Sequence, residues 1–135
     1  MGLAERRAIK DFQDKHLPAL TKQIQDLAGF PVPLEITWEQ LAVEGQSSLY
    51  EEAWPALYFT PVIEALKEIA RDDMGKAALK AGLKKLEFRN TGGFYSPHSA
   101  IKFEGGTLLI DHDISNIGDV GDRTKYIIEI VEKAL

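Results

Sequence analysis

In Ile101-Lys102-Phe103-Glu104-Gly105-Gly106-Thr107-Leu108-Leu109-Ile110-Asp111, apolar residues fall at every second position on either side of a glycine pair. That period belongs to strands that bury one face. Gly105-Gly106 suits a two-residue hairpin turn, because both central residues of such a turn take positive φ, which glycine accepts without steric penalty. The loop length sets Phe103 opposite Leu108 and Ile101 opposite Ile110, so the two strands bury the same side. Upstream, Leu86 and Phe88 keep period two, and Leu34-Glu35-Ile36-Thr37-Trp38 alternates as a short half-buried strand with a brief turn after it.

Elsewhere the period is near four. Ile9, Phe12, His16, Leu20, Ile24 and Leu27 form one stripe, predicting a long amphipathic helix over 3–28, closed by Gly29 and by the prolines at 31 and 33. Pro18 either kinks that helix or breaks it in two, and the unbroken phase of the stripe favours a kink. His16 is expected inside, on the centre of the stripe, with a hydrogen-bond partner. Ser47 or Ser48 caps a helix through Trp54, and Thr60-Pro61 starts another with Val62, Ile63, Leu66 and Ile69 inward. Asp72 and Asp73 either end that helix or cap a shorter one finishing at Gly82, and Asp119 or Asp122 caps the last, with Ile127, Ile130 and Val131 facing the core. The expected architecture is a single α+β domain over residues 1–135. Amphipathic helices pack on one face of a small antiparallel sheet of three or four strands in the C-terminal half, and a C-terminal helix closes it.

The chain of 135 residues is 44% hydrophobic and 27% charged, an ordinary globular balance. A folded chain of this mass exposes roughly 7,000 Å² and buries about two thirds of its surface, enough for a core without staples. The absence of cysteine removes disulfides, thiolate chemistry and iron–sulfur clusters. Met1 to Lys10 carries four charges and no apolar run, so it does not read as a secretory leader and the cytoplasm is the expected compartment. No apolar stretch is long enough to span a membrane.

The net charge of −5 is unevenly distributed: residues 35–73 carry −7 and residues 74–104 carry +4. Nucleic-acid binding requires a concentrated basic face, which one +4 segment in an acidic chain does not supply. Phosphate-binding glycine loops, dinucleotide fingerprints, nucleophile elbows and paired-histidine metal motifs are all absent.

Two constellations remain. Extending the hairpin outward sets His98 opposite Asp113. If Gly92-Gly93 also turns tightly, Glu87, His98 and Asp113 line one face of neighbouring strands, a row suited to a divalent cation or a histidine base. Pro97 weighs against it, since proline donates nothing to a ladder. The segment from Asp111 to Asp122 carries oxygen side chains at its first, third, fifth, ninth and twelfth positions, including Asp113 and Asp119, and so resembles an EF-hand calcium loop. It departs from that loop at the sixth position, Asn116, and at the twelfth, where Asp122 replaces a bidentate glutamate. The second constellation is aromatic. Trp38, Tyr50, Trp54 and Tyr58, interleaved with Glu51 and other glutamates, form either a core or an aromatic groove with an acidic rim for a peptide, a basic partner or a second subunit. The expected function is a non-catalytic interaction or accessory domain contacting a protein partner or its own copy through residues 38–59. The alternative is a metal- or small-ligand-binding protein, or a hydrolase, built on His98, Asp111 and Asp113.

Overall fold

In the computed structural model, which describes residues 1–135, the Gly105-Gly106 pair does form the predicted turn, with φ of 59° and 84°. It joins β3 (Ile101–Glu104) to β4 (Thr107–Asp111) in antiparallel register, Phe103 opposite Leu108 and Ile101 opposite Ile110. Two further strands, β1 (Leu34–Ile36) and β2 (Lys85–Arg89), complete a sheet of order β1-β2-β4-β3. The α+β class holds, and the sheet is mixed: β1 pairs parallel with β2, and β2 parallel with β4.

The parallel pairings have physical causes. Between β1 and β2 lies a long helical crossover, the usual connection between parallel neighbours. Between β2 and β3, Pro97–Ala100 forms a helical turn, α7, with the Ala100 N–H bonded to the Ser96 carbonyl at 2.9 Å. The chain therefore does not fold straight back on β2, and β4 occupies the inner place. β4 carries the unbroken apolar run Leu108-Leu109-Ile110, whereas Lys102 and Glu104 suit β3 to an exposed edge. The row of Glu87, His98 and Asp113 consequently does not form, because its register needed a β2–β3 hairpin and a ladder continuing past Ile101.

The remaining helices are α1 (Leu3–Lys15), α2 (Leu17–Ala28), a single turn α3 (Trp38–Leu41), α4 (Tyr50–Trp54), α5 (Thr60–Ile69), α6 (Asp73–Gly82) and α8 (Val120–Ala134). The first stripe is two helices, broken at His16. In one helix Pro18 would lack the N–H for the Asp14 carbonyl and its ring would clash there, so the chain restarts with Pro18 in the first turn of α2. His16 is accordingly half-exposed at the break, 2.8 Å from Glu51, not inside. Asp72 caps α6 through a 2.8 Å bond from the Gly75 N–H, as expected. Asp119 holds the cap position of α8 without a side-chain bond, and neither Ser47 nor Ser48 caps α4.

α5 begins at Thr60 with Pro61 in its first turn, as expected, but Thr60 is itself helical and is not a cap. The chain runs helically from Tyr50 to Ile69, with a π turn over Pro55–Phe59 between α4 and α5. The π turn lets the Thr60 N–H reach the Pro55 carbonyl, and the next donor in that ladder, Pro61, has none, which frees the Ala56 carbonyl.

One cluster of 27 buried residues runs from Ile9 to Val131, and the accessible surface is 7091 Å². Leu34, Ile36, Leu86, Phe88, Ile101 and Ile110 sit on the sheet face packed against this core. The opposite face carries Glu35, Lys85, Glu87 and Arg89, with Lys85 bound to Glu35 at 2.8 Å. No helix is long and apolar enough to cross a membrane.

Candidate functional site

The aromatic segment divides. Tyr50, Trp54 and Tyr58 are at most 1% exposed. Tyr50 stacks on Trp54 with centroids 4.3 Å apart, and Phe12 meets Trp54 edge-on at 5.2 Å. The Tyr50 hydroxyl donates to the Val43 carbonyl at 2.9 Å and the Tyr58 hydroxyl to the His112 carbonyl at 2.6 Å. Burial pushes the phenol pKa of both tyrosines up. The expected contact surface is therefore core at these three positions. A small chain has few other places for large rings, and the helical spacing of residues 50, 54 and 58 aligns them inward. Glu51 is exposed, and its bond to His16 holds its carboxyl below the usual range. Trp38 remains at the surface, half-buried against Phe12 at 5.9 Å.

Trp38 borders an open groove of about 350 Å³ between α2 and β1, walled by Leu17, Val32, Leu34 and Ile36, with Thr21 and Gln25 above it. β1 is an outer strand, so one side of its backbone has no neighbour. Pro33 accepts from the Leu86 N–H at 2.9 Å and Thr37 donates to the Phe88 carbonyl at 3.1 Å. By the alternation of a parallel ladder, Glu35 turns its N–H and C=O towards β2, while Leu34 and Ile36 turn theirs outward. An apolar trough thus lies beside unpaired main-chain groups.

The polar candidates gather at the C-terminal ends of β2 and β4, where ligands bind in many open parallel sheets. Asp111, Glu87 and Asp113 are already engaged. Asp111 accepts from the Thr91 N–H at 2.7 Å, the Thr91 hydroxyl and Arg89 Nε at 3.0 Å. Burial alone would raise its carboxyl pKa, but the Thr91 bonds and Arg89 outweigh it and hold the group below its ordinary value. Glu87 lies 3.3 Å from Arg89 on the open sheet face. Asp113 accepts from Asn90 Nδ2 at 3.4 Å and the Ser115 hydroxyl at 3.0 Å. His98 is exposed on α7, its ring 4.5 Å from that of Tyr126 on α8 and bordering a shallow cleft with Asp122 and Glu129. No three histidine, aspartate or glutamate side chains come together as a metal-ligand set, so Glu87, His98, Asp111, Asp113, Asp119 and Asp122 do not form the expected centre.

The loop that resembles a calcium site has a cation of its own. Arg123 is fully buried, and its guanidinium donates to the carbonyls of Asn116 and Ile117, both at 2.8 Å, and to Ala56 at 3.1 and 3.2 Å. Ile117 is the seventh position, whose carbonyl faces the ion in an EF-hand. Here that carbonyl faces a guanidinium, which also fills the acceptor left free by Pro61. Sequence reasoning missed Arg123, His112, Arg89 and Thr91. Arg123 left a trace: it shares the spacing of Ile127 and Val131 along the inward stripe of α8. No protein-family model matches this chain, and no curated protein or solved structure matches it either.

Proposed function

We propose that this chain is a non-catalytic interaction module of the cytoplasm that binds one extended apolar segment of another protein along the outer edge of β1. One observation carries the reading: the outward main-chain groups of Leu34 and Ile36 adjoin the apolar trough of Leu17, Val32 and Trp38. A strand added there gains main-chain hydrogen bonds from the edge and places alternate side chains in the trough. Charge specifies the flanks of that strand. Residues 35–54 contain five glutamates and no lysine or arginine, and Glu39, Glu44 and Glu52 have no ion-pair partner, so basic flanking residues are favoured and steered in. The three-residue length of β1 and the prolines at 31 and 33 restrict the edge to a short segment and discourage open-ended pairing.

Selection from a displayed library of random short peptides on the immobilised chain tests this reading. Enriched sequences should alternate apolar residues beside a lysine or arginine, and their binding should shift the amide resonances of Leu34 to Trp38 and α2. Thr21→Arg, which fills the trough from α2, should abolish binding. Failure to enrich any sequence, or binding indifferent to Thr21→Arg, would sink the proposal. So would concentration-dependent dimerisation of the free chain lost in the same variant, since a second copy would then own the edge.

A further inference from the structure

Away from that edge, His112 is 0% exposed at the end of β4, inside the loop that leads to α8. Its Nδ1 lies 2.6 Å from the Asp113 carbonyl. A carbonyl only accepts, so Nδ1 carries the proton and Nε2 presents a bare lone pair, for which there is no partner in the interior.

The charged and titratable groups facing the ring come from three elements. They are Asp111 on β4, Asp113 in the loop after it and Arg123 on α8, while Tyr58 on the π turn meets the His112 main-chain carbonyl. Arg123 is itself a buried cation whose bonds all go to carbonyls. Asp111 is held by Thr91 and Arg89, Asp113 by Asn90 and Ser115, and the Tyr58 hydroxyl by the His112 carbonyl. A second proton on the ring would create an N–H with no acceptor beside a cation already in place.

We propose that His112 is an acid-release latch: once doubly protonated, its ring leaves the interior and frees residues 112–119 together with the Phe94–Tyr95 segment. Two bonds couple these pieces, from the Asp113 N–H to the Phe94 carbonyl at 2.7 Å and from Asn116 Nδ2 to the Tyr95 carbonyl at 2.9 Å. Phe94 and Tyr95 are already 39% and 64% exposed, so release presents two aromatic rings on a loosened loop. Burial is the largest influence on the imidazole and pushes its pKa down. The Asp113 carbonyl opposes it, Arg123 adds to it, and the two carboxylates oppose it. The closed state therefore has a lower histidine pKa than the open state, which sits near the unperturbed value of about 6.5. Closure is complete above that value. As pH falls from it towards the lowered pKa, the open state takes up one proton that the closed state refuses, and opening rises about tenfold per pH unit.

Native-state hydrogen exchange of the full chain between pH 7.5 and 5, corrected for intrinsic rates, reads the opening directly. The Asp113 and Asp119 amides should exchange from a state whose population climbs as pH falls below 6.5, by up to about tenfold per pH unit, while amides of β2 and α5 stay unchanged. In His112→Gln the climb should vanish. Should that variant fail to fold, ring NMR of the unmodified chain serves instead, showing a single neutral Nδ1–H tautomer in the closed state below pH 6.5. Exchange indifferent to pH, opening shared by the whole chain, a slope that survives His112→Gln, or a ring that titrates at 6.5 without opening would each overturn the latch.

Discussion

The outer edge of β1 and the C-terminal ends of β2 and β4 belong to one sheet and treat their polar groups in opposite ways. At the strand ends, carboxylates, hydroxyls and amides are tied to one another, a buried guanidinium nearby is tied to main-chain carbonyls, and the one exposed histidine stands apart on α7. At the edge, main-chain groups lie unpaired beside apolar side chains. Residue types that suggest chemistry are thus bonded within the protein here, and the unpaired groups on which the proposed binding rests sit in a stretch with no motif. A polar group already bonded inside the protein gains little by binding a ligand, because the ligand must replace a bond of similar worth.

The contrast breaks most visibly at Arg123. Arg123→Met removes a fully buried guanidinium and strips donors from three carbonyls, and should destabilise the chain by about 3–5 kcal/mol, read as a lower urea midpoint at unchanged slope. Arg123→Lys should recover only part of that loss, since one ammonium lacks the planar fork that spans Ala56, Asn116 and Ile117. Next is Asp111→Asn, expected to cost about 1.5–3 kcal/mol through the weakened bonds to Thr91 and Arg89. Its pH signature is distinct from that of His112. The folded carboxyl titrates below its unfolded value near 3.9, so its contribution is complete above about pH 4 and is lost as pH falls through the lowered value. Asp111→Asn should flatten that acid limb while leaving the behaviour near pH 6 intact.

Trp54 sharpens the comparison from inside the core. Its indole N–H is buried without a partner, so the ring packs well and donates nothing. Trp54→Ala should cost about 3–5 kcal/mol as a cavity, whereas Trp54→Phe should stay within about 1 kcal/mol, because removing an orphan donor offsets the lost volume. Calorimetry on the two variants separates packing from polarity.

What was legible in the sequence was local. The hairpin register of Ile101 with Ile110 followed from period two and a glycine pair, and the capped start of α6 from Asp72. Strand order was not legible. It depends on Pro97 opening a helical turn that carries the chain past β2, and on β4 being apolar enough for an inner place. The rod from Tyr50 to Ile69 was legible in part: Thr60-Pro61 marked the start of α5, but nothing local showed that the π turn before it would join α4 to α5. The Ala56 carbonyl that Pro61 leaves free is answered by Arg123, 67 positions away. For the aromatic segment, residue type alone supported both core and surface, and only the helix phase of residues 50, 54 and 58 against Trp38 separates the two.

The smallest effect on stability is the most informative about binding. Thr21 is half-exposed on α2 above the trough and makes no side-chain hydrogen bond, so Thr21→Arg should move the unfolding free energy by no more than about 0.5 kcal/mol. The arginine stem would lie along Leu17 and Ile36, where an incoming strand places its side chains, and its charge would meet the basic flank that residues 35–54 attract. Binding of the selected peptide should therefore disappear while the urea midpoint and the exchange behaviour of residues 112–119 remain those of the unmodified chain. A variant that loses peptide and stability together would place the trough inside the core, and the difference between the two ends of the sheet would be one of burial alone.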